Sequence, residues 1–450
     1  MQKLFIANRG EIAARIIRTA KQQQLPTVLA VSEADTQTLA AELADETVVI
    51  GPAPATASYL NHDAVLRAAL DSGADALHPG FGFLSENADF AQKVIDSGLT
   101  WVGPAPESIR LMGNKASARA AAEAAGVPTL EGTTGALAPD ADIDAVGAEI
   151  GFPLVVKASS GGGGRGIRLV EDPSQLAGTI DIARAEAGAA FGDDALYLER
   201  FVSRARHVEV QILGDGTNYI HLGDRDCSMQ RRQQKVLEEA PAPELPDKVR
   251  EVIRESSVEL ARRTGYQGAG TVEFLYDPTR EVAAFIEMNT RLQVEHPVTE
   301  SVTGVDIVSE QLRIASGAGL SVSQNKVQFE GHSIEVRLNA EDPENGFMPS
   351  PGNISVLEWP EGEGIRVDSG VKEGGEVAPF YDSMFAKLIV YAADRQSAIA
   401  QMASALEKLR IEGIKTTVPL LRALISQPEF IEVAHYSTFV EDADINLEEL

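Results

Sequence analysis

Short apolar runs alternate with stretches of helical period along the first hundred residues. Lys3 to Ala7, Thr27 to Ser32, Ala76 to His78 and Trp101 to Gly103 read as strands, and a helix is expected from about Glu11. Strands that alternate with helices form parallel sheets with crossover helices, a doubly wound α/β unit. Asn8-Arg9-Gly10 follows the first strand and Pro79-Gly80 a later one. Ligands of such sheets bind beyond the carboxyl ends of the strands, so these turns are the first places to look for a site. An Ala-rich helix over Asn114 to Ala125 leads into a small unit with strands at Phe152 to Ala158, Ile167 to Val170 and Leu196 to Phe201. Hairpins follow: Val208 to Leu213 with Tyr219 to Gly223 across Gly214-Asp215-Gly216, and Gly270 to Tyr276 with Val282 to Met288 across Asp277-Pro278-Thr279-Arg280. The last third mixes strands at Ser333 to Leu338 and Lys387 to Tyr391 with a helix from Arg395 to Leu409.

At 450 residues the chain exceeds what one hydrophobic core usually supports, so two or three domains are expected. Its 39 basic and 67 acidic side chains give a formal charge of −28, which argues against non-specific nucleic-acid binding. One cysteine, Cys227, cannot form an intrachain disulfide, which fits a reducing compartment, the cytoplasm by default. The apolar run after Met1 meets a polar turn too early to be a signal-peptide core. No stretch approaches the roughly 20 apolar residues of a membrane span. A soluble protein with no membrane partner is the expectation.

Ser159-Ser160-Gly161-Gly162-Gly163-Gly164-Arg165-Gly166 satisfies G-x-G-x-x-G, but a strand rather than a helix follows it, and no Lys-Ser or Lys-Thr closes a Walker loop. The run reads either as a mobile hairpin tip whose bare N–H groups meet phosphates or as a plain flexible loop. Lys157 and Lys115 flank it and would serve as point charges for phosphates.

Glu273 and Glu287 interrupt apolar strands on the two arms of one hairpin. They are either Mg²⁺ ligands or exposed strand positions, and register decides whether they share a face. In Asn289 to Glu300, Arg291, Gln293 and Glu295 alternate and would project to one side of an extended chain, a set suited to a small oxyanion. Arg225 to Lys235 concentrates positive charge in an acidic chain, either for binding or as a basic loop paired to acids such as Glu238 and Glu239. Cys227 reads as a small buried hydrophobe, and His78, His207 and His296 lack zinc-ligand spacing.

Together, Phe5 to Ala13, His78 to Asn87, Lys157 to Gly166, Arg225 to Lys235 and Glu287 to Glu300 resemble biotin carboxylase, a family of ATP-grasp enzymes, and the similarity runs to about residue 445. The resemblance implies an α/β ATP-grasp fold in four parts. A doubly wound, Rossmann-like domain would span 1–113, an α+β lid subdomain with the glycine loop 114–203, the ATP-grasp half with the metal and bicarbonate site 204–330, and an antiparallel-sheet domain 331–450.

The implied reaction is a ligase reaction: ATP activates bicarbonate to carboxyphosphate, and the carboxyl group passes to biotin. Lys115, Lys157, Gly163, Gly164, Glu199, Arg200, Phe201, Val202, His207, Gln230 and Gln233 would surround ATP, and Glu273, Glu287 and Asn289 would hold Mg²⁺ or Mn²⁺. Lys235, Arg291, Gln293 and the backbone of Val294 would bind bicarbonate, Glu295 would deprotonate it, and Arg337 would bind bicarbonate and stabilise the biotin enolate. Three positions depart from the family pattern. Phe81 replaces a Tyr near biotin, Gln233 a His and Arg200 a Lys, and altered nucleotide or biotin affinity is the expectation.

No methionine is followed by lysine, so no Met-Lys-Met biotinylation motif is present. A stand-alone subunit is therefore expected, and the family resemblance implies a homodimer. It would act on biotin borne by a separate carrier protein, with a carboxyltransferase, in an acetyl-CoA or other acyl-CoA carboxylase of fatty acid biosynthesis. Two competing readings are another ATP-grasp carboxylate-amine ligase and a silent nucleotide-binding subunit. The Arg291 to Glu295 segment argues against the first, and the complete set of base and metal ligands against the second.

Overall fold

The computed structural model describes residues 1–133, 135–138, 140–159, 166–443 and 445. Strands β1 (Leu4–Ile6), β2 (Thr27–Ser32), β3 (Glu46–Gly51), β4 (Ala76–His78) and β5 (Thr100–Trp101) form a parallel sheet in the order β3-β2-β1-β4-β5. Leu4, Phe5 and Ile6 are fully buried, so both faces of β1 are covered, as crossover helices require. The helix Gly10–Gln22 buries Ile12, Ile16, Ile17 and Ala20 along one stripe. Strand β3 gave no clear sequence signal, because at the sheet edge most of its residues stay partly exposed. Strand order reverses between β1 and β4, and there the two turns lock together. Asn8 Nδ2 donates to the carbonyls of Pro79 (2.6 Å) and Phe81 (2.8 Å). Gly80 has φ +65° and a Cβ there would lie 2.7 Å from Asn8 Nδ2, so glycine is required.

A three-stranded antiparallel sheet of β6 (Leu154–Ala158), β7 (Ile167–Val170) and β8 (Leu196–Arg200) packs Leu154, Val156, Leu196 and Leu198 against the helix Leu176–Phe191. The glycine run, including Gly163 and Gly164, lies outside the described residues.

The largest sheet has eight antiparallel strands. β13 (Val282–Asn289), β12 (Gln267–Asp277), β9 (Arg206–Asp215), β10 (Tyr219–Arg231), β11 (Gln234–Ala240) and β14 (His332–Asn339) are followed by Met384–Ala392 and Ile365–Ser369. Strands on both sides of residue 330 thus share one sheet. Strand β9 shows how this sheet builds a site. Val208, Val210 and Ile212 enter an apolar core with Leu260 and Ile253 of the helix Asp247–Arg263, while Glu209 and Gln211, equally buried, face the other way. The Arg225 to Lys235 cluster, read as a basic loop in one alternative, is strand, tight turn and strand. Arg231 pairs with Gln234, and Arg232 and Gln233 take φ +50° and +65°.

Candidate active site

Register places a row of charge across four strands: Glu287 of β13 opposes Glu273 of β12, which opposes Glu209 of β9, which opposes Arg225 of β10. The two carboxylates of the hairpin therefore share a face, the point the sequence left open. Arg225 is fully buried and directs five hydrogen bonds to Glu209 (2.6 Å), Gln211, Thr299, Gln293 (2.9 Å each) and Thr271 (3.3 Å). It does not pair with Glu238 or Glu239. Those bind Arg337, and Arg395 with His332.

Above this row opens a cleft of about 790 Å³, lined from the parallel-sheet side by Asn8, Arg9, Phe81 and Glu86 and from the large sheet by His207, Gln230, Gln233, Lys235 and Arg337. The segment Arg291 to Glu295 forms one wall. It is irregular rather than a strand: Leu292 enters the apolar core, while Arg291, Gln293, Val294 and Glu295 line the cleft. Arg291 is held by Glu86 (2.7 Å) and Asn289 (2.8 Å), and Gln293 donates to Glu273 (2.7 Å). Lys387, wholly buried, donates to the Val294 carbonyl at 2.7 Å.

Lys235 sits among three carboxylates, Glu209 (2.6 Å), Glu273 (3.1 Å) and Glu295 (2.6 Å). Burial alone would favour the neutral amine, but the three acids outweigh it and raise its pKa well above the usual lysine value. Burial likewise pushes Glu295 up, and Lys235, Arg337 (3.0 Å) and Arg225 overcome this to hold it well below the carboxylate range. Glu273 is also lowered, because Lys235 and His207 (3.0 Å) outweigh its burial. Glu287 goes the other way, raised by burial and then by Glu273. Burial raises the Cys227 thiol, which leaves no activated thiolate. His207, Glu209 and Glu273 place donor atoms within 4.8 Å of one another, although Glu209 already pairs with Arg225 and Lys235.

A second cavity of about 280 Å³ lies between the small sheet and β12–β13. Leu130, Leu275, Phe285 and Ile286 give it an apolar floor, and Lys115, Lys157, Glu199 and Glu287 a polar end. Lys157 and Arg119 both pair with Glu199. Glu287 lines both cavities. Not every expected side chain arrives there. Arg200 turns to the Ile150 carbonyl (3.0 Å), since its neighbour Glu199 takes the cleft face and strand residues alternate. Val202 packs with Leu130, Ala205 and Ala284, and Phe201 is likewise absent from the lining. Glu209, Arg119 and Lys387 were missed by sequence reasoning. The available signal was a single charge inside an apolar strand at Glu209 and again at Lys387.

Residues 1–109 match the family model described as biotin carboxylase, N-terminal domain, 114–323 the carbamoyl-phosphate synthase L chain, ATP binding domain, and 335–442 the biotin carboxylase C-terminal domain. A biotin carboxylase of Pseudomonas aeruginosa is 53% identical over 432 residues, which cover 96% of either chain. A Campylobacter jejuni biotin carboxylase structure, in complex with a β,γ-ATP compound, superposes with TM-score 0.91 at 43% identity and covers 98% of this chain and 99% of that one. The biotin carboxylase domain dimer of Hydrogenobacter thermophilus 2-oxoglutarate carboxylase, bound to MgADP, ADP and bicarbonate, gives TM-score 0.89 at 45% identity over 98% of this chain and 97% of that one. With an ATP-grasp domain between the two halves of a matching N- and C-terminal pair, and near full-length identity of this order, the chain belongs to the biotin carboxylase family.

Proposed function

We propose that this chain catalyses the ATP-dependent carboxylation of biotin borne on a carrier protein, with bicarbonate as carbon source, in the cytoplasm. The observation that carries it is Glu295, a buried carboxylate kept ionised at the floor of the cleft by Lys235 at 2.6 Å and Arg337 at 3.0 Å. A base so placed can take the proton of bicarbonate, and the same two cations with Arg291 can then hold the resulting dianion. One bicarbonate oxygen attacks the γ-phosphorus of ATP and ADP leaves; the carboxyl group of carboxyphosphate then passes to the ureido nitrogen of biotin as its C–O bond to phosphate breaks, and the proton of that nitrogen leaves on the departing phosphate. Attack of one anion on another is slow unless fixed positive charge offsets the repulsion, and that is the work of Lys235, Arg291 and Arg337.

The smaller cavity suits the nucleotide, with its apolar floor for the base and Lys115 and Lys157 for phosphates. Glu287, shared by both cavities, marks where the γ-phosphate would meet bicarbonate. Mg²⁺ or Mn²⁺ fits Glu273, Glu287 and Asn289, because a cation would offset both the burial that chiefly raises Glu287 and the repulsion from the opposed Glu273. When bound it supplies charge neutralisation at the phosphates. His207, Gln230 and Gln233, which line the larger cleft, would meet the phosphate end of the nucleotide, and Gly163 and Gly164, outside the described residues, stay assigned to ATP by the family resemblance, with Arg200, Phe201 and Val202 limited to backbone contacts. Gln293, the Val294 backbone and Phe81 complete the bicarbonate and biotin side. The division at 113, 203 and 330, the homodimer, the carrier protein, the carboxyltransferase and an acyl-CoA end product in fatty acid synthesis belong to the same proposal.

The test is ADP release with MgATP, adding bicarbonate and biotin separately and together. Turnover that needs both supports the reading. A rate indifferent to biotin, even with a biotinylated carrier, rejects it in favour of another ATP-grasp ligase or a silent subunit.

A further inference from the structure

Behind Arg337 lies a second acid that the reaction above does not use. Glu238 of β11 is fully buried, and Nε and Nη2 of Arg337 both approach its Oε1 at 2.5 Å. Nη2 also reaches Glu295 at 3.0 Å, so Glu238 and Glu295 grip one guanidinium from two sides. Glu238 has a companion. Its cross-strand partner on β14 is Glu335, also fully buried, and opposed residues of an antiparallel pair share a face. Glu238 Oε2 and both oxygens of Glu335 make no hydrogen bond among the described residues.

Two ionised carboxylates side by side, with three unbonded oxygens and no water-facing surface, are unfavourable; one shared proton removes a charge and supplies a donor. The charged groups facing the pair are Arg337 of β14, Lys387 of the strand Met384–Ala392, Lys235 of β11 and Glu295. Lys387 is itself shared with Glu11 and Asp368. Burial first, and the neighbouring acids after it, raise both members of the pair, Glu238 to about 7.

We propose that Glu238 is a positioning residue for Arg337, holding the guanidinium through one oxygen as half of a Glu238–Glu335 carboxyl pair that keeps one proton between its members. The arrangement aims Arg337 at the cleft without neutralising it twice over, and so leaves its charge for bicarbonate and the biotin enolate. The inference rests on the role assigned to Arg337 under the proposed function.

Glu238→Gln keeps the accepting oxygen and imitates the protonated acid, so biotin-dependent turnover should stay within about threefold of the parent. Glu238→Ala frees the guanidinium and should lower kcat about 100-fold with the KM for ATP unchanged. A difference infrared spectrum, parent minus Glu238→Gln/Glu335→Gln, should show a protonated-carboxyl band at neutral pH. The proposal is overturned if the Gln variant is as impaired as the Ala variant, if neither moves kcat, or if the band is missing. Should Glu238→Ala fail to fold, the Gln variant and the spectrum decide. Arg337→Ala separates the two readings: unchanged turnover there overturns the role of Arg337 and the positioning that depends on it, while the spectrum independently decides the shared proton.

Discussion

Glu295 is ionised because its neighbours outweigh its burial, and a base of this kind is useful only while it remains charged. Glu295→Gln keeps the shape and removes the base, so bicarbonate-dependent ADP release should fall about 100- to 1,000-fold with little change in the KM for ATP. Steady-state kinetics with both substrates varied checks this. Arg225 plays the opposite part, because it does not line the cleft and its five bonds tie β9, β12 and the Arg291 to Glu295 wall together. Arg225→Met leaves Glu209 buried with one partner fewer and should cost about 3–5 kcal/mol of stability, read as a lowered unfolding midpoint. The two residues differ in legibility. Arg291, Gln293 and Glu295 could be read from sequence because a cation, an amide and an acid at every second position of one short segment stand out as a set. That Arg225 would be a buried strut could not, since its partners lie 14 to 74 positions away.

At the scale of elements, the β12–β13 hairpin shows what register adds. Its strands and turn were legible from period-2 patterning and Asp277-Pro278, but a slip of one residue would have sent Glu287 to the opposite face. With Glu273 and Glu287 opposed, Glu287→Gln should raise the Mg²⁺ concentration for half-maximal turnover about tenfold or more while leaving the fold intact. A metal titration of the rate beside a circular dichroism spectrum tests this. The Arg232–Gln233 turn was not legible. Two consecutive residues at positive φ ordinarily announce themselves as Asn-Gly, and here the long side chains of Arg232 and Gln233 hide the turn. Glu441 bonds the backbone N–H of Arg232 from a helix more than 200 positions away, a contact that no local pattern signals.

Across the molecule, buried ion pairs join the parallel-sheet unit to the C-terminal strands. Arg15 of the first helix binds Glu300, which binds Arg366, which binds Asp368, and Lys387 lies between Asp368 and Glu11. Burial raises the pKa of Asp368, but Arg366 and Lys387 prevail and hold it at about 2. Its folded value lies below the unfolded value of about 3.9, so its contribution, on the order of 2–3 kcal/mol, is present above pH 4 and lost as pH falls towards 2. Asp368→Asn should therefore unfold at a lower temperature than the parent at pH 6, and the gap should narrow as pH drops through that window. Hydrophobic period and turn residues were enough to establish the alternation of parallel strands with helices and the hairpins, because each depends on neighbours a few positions apart, and the five motifs in their order carried the residue types at the site through the family resemblance. Register, the buried pairings of Arg225, Glu238 and Lys387, and the turning away of Arg200 were decided only by the folded chain. Each depends on which distant side chain fills the space opposite, and that is set when strands from remote parts of the chain meet in one sheet.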